Sequence, residues 1–365
     1  MTKQADFKRR VRARMAKTGE SYAIARRRLL GEQPAPVEDR LAVALHVSNG
    51  DATDIPGTGL ARHVVYWRDV LHEGPVPAVG HEELRRVRAA FLAGAGADDR
   101  ADGMRMFLRR DAALEGNRAG EYVLWFEADL YDQLQIVEIL ARLAELAVPA
   151  GRITLICIGE HPGIARFGGL GQLRPEQLRE LPATKACATL TPAALDLATR
   201  AWAAFRAPAP DGLAAIAATR SGELRFLGEA FERLSREYPS TRDGLSLTER
   251  RILAAAGDAT ATAGDVFVRA SAREARPYLG DDWCFAAMDR LAGGPHPLLD
   301  RRPADAPIDR ATPVRLTATG ARVLAGEADH VTLNGVDRWI GGVHLTGHDV
   351  RWRWDEGREA LTTVG

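Results

Sequence analysis

The residues best suited to chemistry lie in the segment 45–77, LHVSNGDATDIPGTGLARHVVYWRDVLHEGPVP. One apolar run ends there in Asn49-Gly50-Asp51, and a second ends in Trp67-Arg68-Asp69, followed by His72-Glu73-Gly74-Pro75. Asp51, Asp69 and Glu73 are candidate catalytic carboxylates: if the fold brings them together, they can act as general base and acid, or bind a metal. Asn49 supplies a donor and an acceptor, and Gly50 allows close backbone approach. Gly74 supplies a turn, Trp67 ends the second run, and His72 is a candidate proton shuttle. These five residues, with Gln133, form the expected ligand-binding set. Each cluster also has a purely structural reading. Asn49-Gly50-Asp51 can be an Asx turn, Asp69 can cap a turn through Leu71, and Gly74-Pro75 can simply redirect the chain.

The elements that would position these groups follow from the pattern of apolar runs. LAVALHVS, HVVYW, EYVLWFEA and RITLICIG read as four strands, alternating with helical HEELRRVRAAFLAG, a segment near 103–113, and DLYDQLQIVEILARLAEL. Short, continuously apolar strands alternating with helices predict an α/β fold with a mostly parallel sheet, whose sites lie outside the carboxyl ends of the strands. The long helix places Leu130, Leu134, Val137 and Ala144 on one face, with Asp129 as its cap. Glu127, Asp129, Asp132 and Gln133 follow the third strand. Asp129 and Asp132 read as structural caps, whereas Gln133 or Tyr131 can face a ligand. Gly159-Glu160-His161-Pro162 completes a polar rim after the fourth strand.

Thr191-Pro192 opens a helical region that runs to about Tyr238 and is interrupted near 208–211. Beyond it, SLTERRILAAAG, AGDVFVRASA and GDDWCFAAMDRLAGG read as three helices, and HPLLDRR and TPVRLTATG as a hairpin. That layout predicts a C-terminal winged-helix-like α+β domain. Its third helix carries Asp281, Asp282 and Asp289 against Arg290, so phosphates would repel it. Trp283, Trp339, Trp352 and Trp354 read as core or interface aromatics. The expected units are a basic helical arm and linker (1–36), the α/β domain (37–190), a helical connector (191–239) and the winged-helix-like domain (240–365).

A chain of 365 residues, 46% hydrophobic and 27% charged, suits two globular domains with appendages. Cys157, Cys187 and Cys284 are widely spaced and form no CxxC pair, so neither a disulfide framework nor a cysteine zinc site is indicated. The expected compartment is the cytoplasm, with no membrane partner, because no apolar run approaches the roughly 20 residues of a transmembrane helix. Net charge is zero, yet residues 1–30 hold ten Lys/Arg against Asp6 and Glu20, giving +8 and leaving −8 for the remainder. Any contact with nucleic acid or an acidic partner therefore belongs to this arm. Its Phe7, Val11 and Met15 predict one helix. Thr18-Gly19 breaks it, Ser21 can cap a second, and Gln33-Pro34-Ala35-Pro36 forms a stiff linker.

Gly57-Thr58-Gly59 is followed by Arg62 where GxGxxG needs its third glycine, and GxxxxGK[ST], HExxH and GxSxG are all absent. Neither dinucleotide nor P-loop binding has a proper signature, and the sequence leaves any cofactor unidentified. NGD, WRDVLHEGPVP, LWFEADLYDQLQ and GLGQLRPEQL resemble the bacterial family catalogued as domain of unknown function 1835. SLTERRIL, YLGDDWCFAAMDRL, PLL, LTATGARVLAG, DRWIGGVHL and VRWRWD resemble its C-terminal companion, domain of unknown function 3658. The resemblance covers about residues 41–355 and implies a two-domain cytoplasmic bacterial protein, without supplying an activity. It also implies that Asn49, Gly50, Asp51, Asp69, Glu73 and Gly74 belong to one site. The leading expectation is a small polar or phosphorylated ligand bound at the strand ends. The alternative is an adaptor that contacts nucleic acid or a protein through the arm and the winged-helix-like domain.

Overall fold

The first apolar run is not strand throughout. In the computed structural model, which describes residues 3–18, 26, 29, 41–96 and 100–364, residues 41–43 form a helical turn and only Leu45–Ser48 extends as β1. His46 explains the break: its Nε2 lies 2.8 Å from the Leu41 carbonyl, while Nδ1 accepts from Trp125 Nε1 at 2.9 Å. The remaining strands of the main sheet are β2 (His63–Tyr66), β3 (Tyr122–Glu127), β4 (Ile153–Ile158) and β5 (Cys187–Thr189). Their order is β2-β1-β3-β4-β5. The first four run parallel, in line with the sequence pattern, whereas β5 is antiparallel to β4.

This order has a physical consequence for function. The chain leaves β1 toward β2 and later passes back to β3 on the other side, so a crevice opens at the carboxyl ends of β1 and β3. Asn49 and Glu127 stand at that point.

In the arm, α1 (Lys3–Thr18) buries Val11 completely and exposes Lys8, Arg10, Arg12 and Lys17. The second arm helix and the Gln33–Pro36 linker fall outside the described residues. Between β2 and β3 come α2 (His81–Gly94) and α3 (Arg100–Gly116), and α4 (Leu130–Glu145) joins β3 to β4. The apolar stripe read for α4 understates its burial, because residues on nearly all sides are covered. The sheet packs on one side of it, and α5 (Pro192–Arg206) of the connector packs on another. Thr191 caps α5 by accepting from the Ala194 amide at 3.2 Å. The opposite face of the sheet has its own core, with Ile55, Leu60, Trp125, Ile156 and Leu170.

The connector ends with α6 (Leu227–Ser235). There follow α7 (Leu247–Ala256), opened by a Ser246/Glu249 capping box, then β6 (Ala261–Thr262), α8 (Ala263–Ser271) and α9 (Asp281–Ala292). The expected hairpin is present as β7 (Leu299–Arg301) and β8 (Pro313–Leu316), and β8 also pairs with β6, giving the order β6-β8-β7. These elements share a separate core around Ile252, Val266, Phe285, Met288 and Val314.

The end of the chain then returns to the first core. β9 (Val336–Ile340) pairs with β10 (Val343–Gly347), and β11 (Trp352–Asp355) pairs with β12 (Ala360–Thr363). Ile340, Val343, Leu345, Val350 and Trp354 are buried against the sheet-and-connector core. The Val76 amide donates to the Gly341 carbonyl at 2.8 Å. Among the described residues no helix is long and apolar enough to cross a membrane.

Candidate functional site

Three carboxylates meet at the crevice. Glu127 ends β3, Asp129 caps α4 by accepting from the Asp132 amide at 3.1 Å, and Asp132 sits in the first turn. One oxygen of each lies within 4.8 Å of the others. A strand that ends directly before a helix forces this approach, because the turn between them is only two residues long. Asn49 at the end of β1 donates to both Asp132 oxygens, at 2.8 and 3.0 Å, and the Glu127 amide donates to Asp132 Oδ2 at 2.6 Å. The Leu170 amide donates to Glu127 Oε1 at 2.7 Å.

Burial penalises charge on all three, and Asp129 adds repulsion at Glu127 and Asp132. Glu127 is raised to about 8, by burial first and then by Asp129, with the Leu170 amide opposing. Asp129 is raised to about 6 by burial, with backbone amides opposing, and Asp132 is pushed well above the carboxylate range by burial and both neighbours. Such groups can hold a cation, or exchange protons near neutral pH.

Two cavities open beside them. One of about 30 Å³ is lined by Glu127, Asp129, Phe167 and Arg276, and one of about 220 Å³ by Asp129, Arg233, Arg251 and Glu274. The larger lies between α4, α6, α7 and the loop 272–280. Its four carboxylates balance its four arginines.

Farther along the same edge lies a buried polar layer between the α/β part and the C-terminal half. His72 is almost completely buried, with the Tyr131 and Tyr278 rings edge-on at 5.9 and 5.1 Å and no hydrogen-bond partner for either ring nitrogen. Burial lowers it to about 3, with Glu237 opposing and the nearby arginines assisting. Burial works against the Glu237 charge, but Arg233 and Arg338, at 2.6 Å each, outweigh it and hold the group well below the carboxylate range.

The structure does not bring Asp51, Asp69 and Glu73 into one cluster; among the described residues they form no group like that of Glu127, Asp129 and Asp132. Asp51 is exposed and pairs with Arg68 at 2.9 Å. Asp69 is buried and bound to Arg88 at 2.7 Å, and the same guanidinium donates to the carbonyls of Val70, Glu73 and Pro75. It therefore braces the whole turn instead of leaving Asp69 open to a ligand. Glu73 lies 3.7 Å from both Arg290 and Arg338, across the interface between the two halves.

Trp67 is core: its Nε1 donates to Glu138 at 2.6 Å and Arg110 stacks over its ring at 4.0 Å. Gly74 has φ of +73°, and a Cβ there would meet Phe91 at 2.5 Å, so its role is conformational. Around Gly50 a Cβ would meet nothing within 4 Å. Gln133 is buried and donates to the Glu127 carbonyl at 2.8 Å, buttressing the acidic cluster from behind. Of the expected ligand-binding residues, Asn49 and Gln133 touch that cluster, each through its side-chain amide: Asn49 at the Asp132 carboxylate and Gln133 at the Glu127 carbonyl.

From sequence, Asp129 and Asp132 read as structural caps and Glu127 has no assigned role, although the spacing of all three at a strand-to-helix turn is the available signal. Arg276, Tyr278, Glu237 and Arg338 come from distant segments, and nothing local marked them. No protein-family model and no curated protein matches this chain.

Proposed function

We propose that this protein binds a small polar molecule in the cleft between the carboxyl edge of its sheet and the 272–280 loop, with Glu127 and Asp129 as its proton-handling groups. One observation carries this reading: carboxylates raised to about 8 and about 6 lie at the crevice and border cavities of about 30 and 220 Å³. A carboxyl group that titrates near neutrality can accept or return a proton without a large driving force. The balanced charge of the larger cavity supports a neutral or zwitterionic molecule over a strongly anionic one. The resemblance of residues 41–355 to domains of unknown function 1835 and 3658 supports a two-domain cytoplasmic bacterial protein; of the six residues it implies for one site, Asn49 hydrogen-bonds to the acidic cluster, whereas Asp51, Asp69 and Glu73 are engaged elsewhere.

The test is native mass spectrometry of the purified full chain, followed by thermal-shift measurements with each compound recovered. Glu127→Gln and Asp129→Asn should abolish the compound-induced shift while retaining the fold. A purified chain free of small molecules, with no shift from any compound of a broad metabolite panel, overturns the reading.

The order helix, β6, helix, helix, β7, β8 with sheet order β6-β8-β7 supports a winged-helix arrangement for residues 247–316. In such an arrangement α9 would read DNA. Here Trp283 on α9 stacks on Phe91 of α2 at 5.6 Å and Arg290 faces Glu73, which favours α9 as a docking element. Nucleic-acid or acidic-partner contact then rests with α1, whose exposed Lys8, Arg10, Arg12 and Lys17 flank the buried Val11. Electrophoretic titration over a range of salt, with and without residues 1–36, tests this second reading. The absence of any shift at low salt removes it.

A further inference from the structure

Residues 272–280, AREARPYLG, cross the carboxyl edge of the sheet between α8 and α9. Their exposure alternates. Arg273, Ala275 and Pro277 are exposed, whereas Glu274, Arg276 and Tyr278 are half-buried, along a stretch of turns and bends without helix or strand. The half-buried side chains are held by polar contacts. Glu274 pairs with Arg233 at 2.7 Å and with Arg251. Arg276 reaches Glu229 at 2.8 Å and the Gly159 carbonyl at 3.2 Å. The Tyr278 hydroxyl shares a hydrogen bond with Thr248 at 3.1 Å, and Arg166 donates to the Ala272 carbonyl at 2.8 Å.

Apolar packing in this segment comes from Tyr278 and Leu279 at its far end. Among the described residues, no amide of 275–279 enters a backbone hydrogen bond. A segment tied down by a few ion pairs, of which Arg276–Glu229 is the more exposed, with neither ladder nor broad apolar face, opens locally at lower cost than the fold as a whole.

What lies under it is distinctive. The segment lines three cavities: the two beside the acidic cluster, and one of about 20 Å³ between Thr248, Pro277 and Tyr278. Tyr278 covers His72 edge-on at 5.1 Å, and both nitrogens of that buried ring are without partners. His46 shows the contrast, since it is equally buried but has both nitrogens engaged, by Leu41 and Trp125. Neutral imidazole offers one donor and one acceptor, so an uncovered His72 suits a hydroxyl, carbonyl or amide group.

We propose that residues 272–280 are a strap that lifts from the cleft, withdrawing Tyr278 so that uncharged polar molecules entering the cleft reach the His72 imidazole. This rests on the reading that the cleft takes a small polar molecule, and it adds the route of entry and the innermost contact. Glu274 and Arg276 are the releasable ties, Tyr278 is the plug, and His72 is the group uncovered.

The probe is diethyl pyrocarbonate, a small uncharged carbonyl compound that acylates free imidazole nitrogen. Site-resolved mass spectrometry of the full chain at neutral pH gives a modification rate for each histidine. In the unaltered protein His72 should react more slowly than exposed His296 and faster than His46. Glu274→Gln, Arg276→Gln and Tyr278→Ala should each speed the reaction at His72 by about tenfold or more, with His46 unchanged. Amide exchange should rise across 272–280 and not in β3. If His72 reacts at an unaltered rate in all three variants, or accelerates only in step with His46 as global unfolding would require, the strap is overturned. That result would leave ligand binding in the cleft standing. A strap that opens in a protein taking up no small molecule would instead overturn the cleft reading alone.

Discussion

At the residue scale, the polar edge of the sheet sets two opposing responses to pH. Folding raises Glu127 from about 4.5 to about 8, so between those values the folded state binds more protons than the unfolded chain. Its contribution is complete below pH 4.5 and is lost as pH rises toward 8. His72 behaves in the opposite sense. Its depression from 6.5 to about 3 means that the unfolded chain takes up the extra proton, so stability falls as pH drops below 6.5. Between pH 4.5 and 6.5 the two slopes offset each other, so the thermal midpoint should peak in mildly acidic solution and fall on either side. Glu127→Gln should flatten the alkaline limb by on the order of 1 kcal/mol per pH unit, and His72→Gln should flatten the acidic one. Melting curves at a series of pH values read both, and parallel curves for variant and parent would refute the assignment. Asp69 belongs to the same scale but to a different purpose. Truncating it leaves Arg88 charged and buried, so Asp69→Ala should cost about 3–5 kcal/mol in denaturant unfolding.

At the element scale, the start of α4 combines a helix cap with an unfavourable charge. Asp129 satisfies the Asp132 amide, yet it repels Glu127 and Asp132. An asparagine keeps an acceptor oxygen and removes the charge. Asp129→Asn should therefore be at least as stable as the parent at mildly alkaline pH, and Asp129→Ala about 1 kcal/mol less stable than Asp129→Asn. Equal stability of the two variants would show that the side chain does not cap α4. The turn after β2 is as strict in another way. At Gly74 the left-handed backbone and the contact with Phe91 exclude a side chain, and Arg88 then ties three carbonyls of the same turn to Asp69. The segment HEGPVP that looked like a set of reactive groups is thus largely a braced corner, although it delivers His72 and Glu73 to the interface.

At the scale of the whole molecule, the chain closes on itself. The β9–β10 and β11–β12 hairpins follow the 247–316 unit in sequence but bury their side chains in the sheet-and-connector core. Ile340→Ala and Trp354→Ala should each destabilise the protein by about 2–5 kcal/mol. Removing residues 336–365 should expose the α/β part to limited proteolysis; a truncated chain as resistant as the parent would show that the hairpins are accessory.

Much of this was legible from sequence. Runs such as EYVLWFEA and the DLYDQLQ… helix announce strands covered on both faces and a capped helix, because apolar periodicity and capping chemistry are local. The helices and hairpin of the C-terminal half were legible for the same reason. β5, with only Cys187–Thr189 and half-exposed, had too little pattern to see. The placement of polar groups at strand ends was also implied by the order of elements alone. Which of those groups face one another was not. Asp51, Asp69 and Glu73 lie near each other in sequence yet acquire separate cationic partners, whereas Glu127, Asp129 and Asp132 converge with Asn49 from 83 residues away. His72 meets Tyr278 across more than two hundred residues. The sequence determined the elements and their chemistry, because backbone preference and burial pattern act over a few residues; tertiary structure alone decided the site, because charge partners, desolvation and cavity walls are made by segments that only folding brings together.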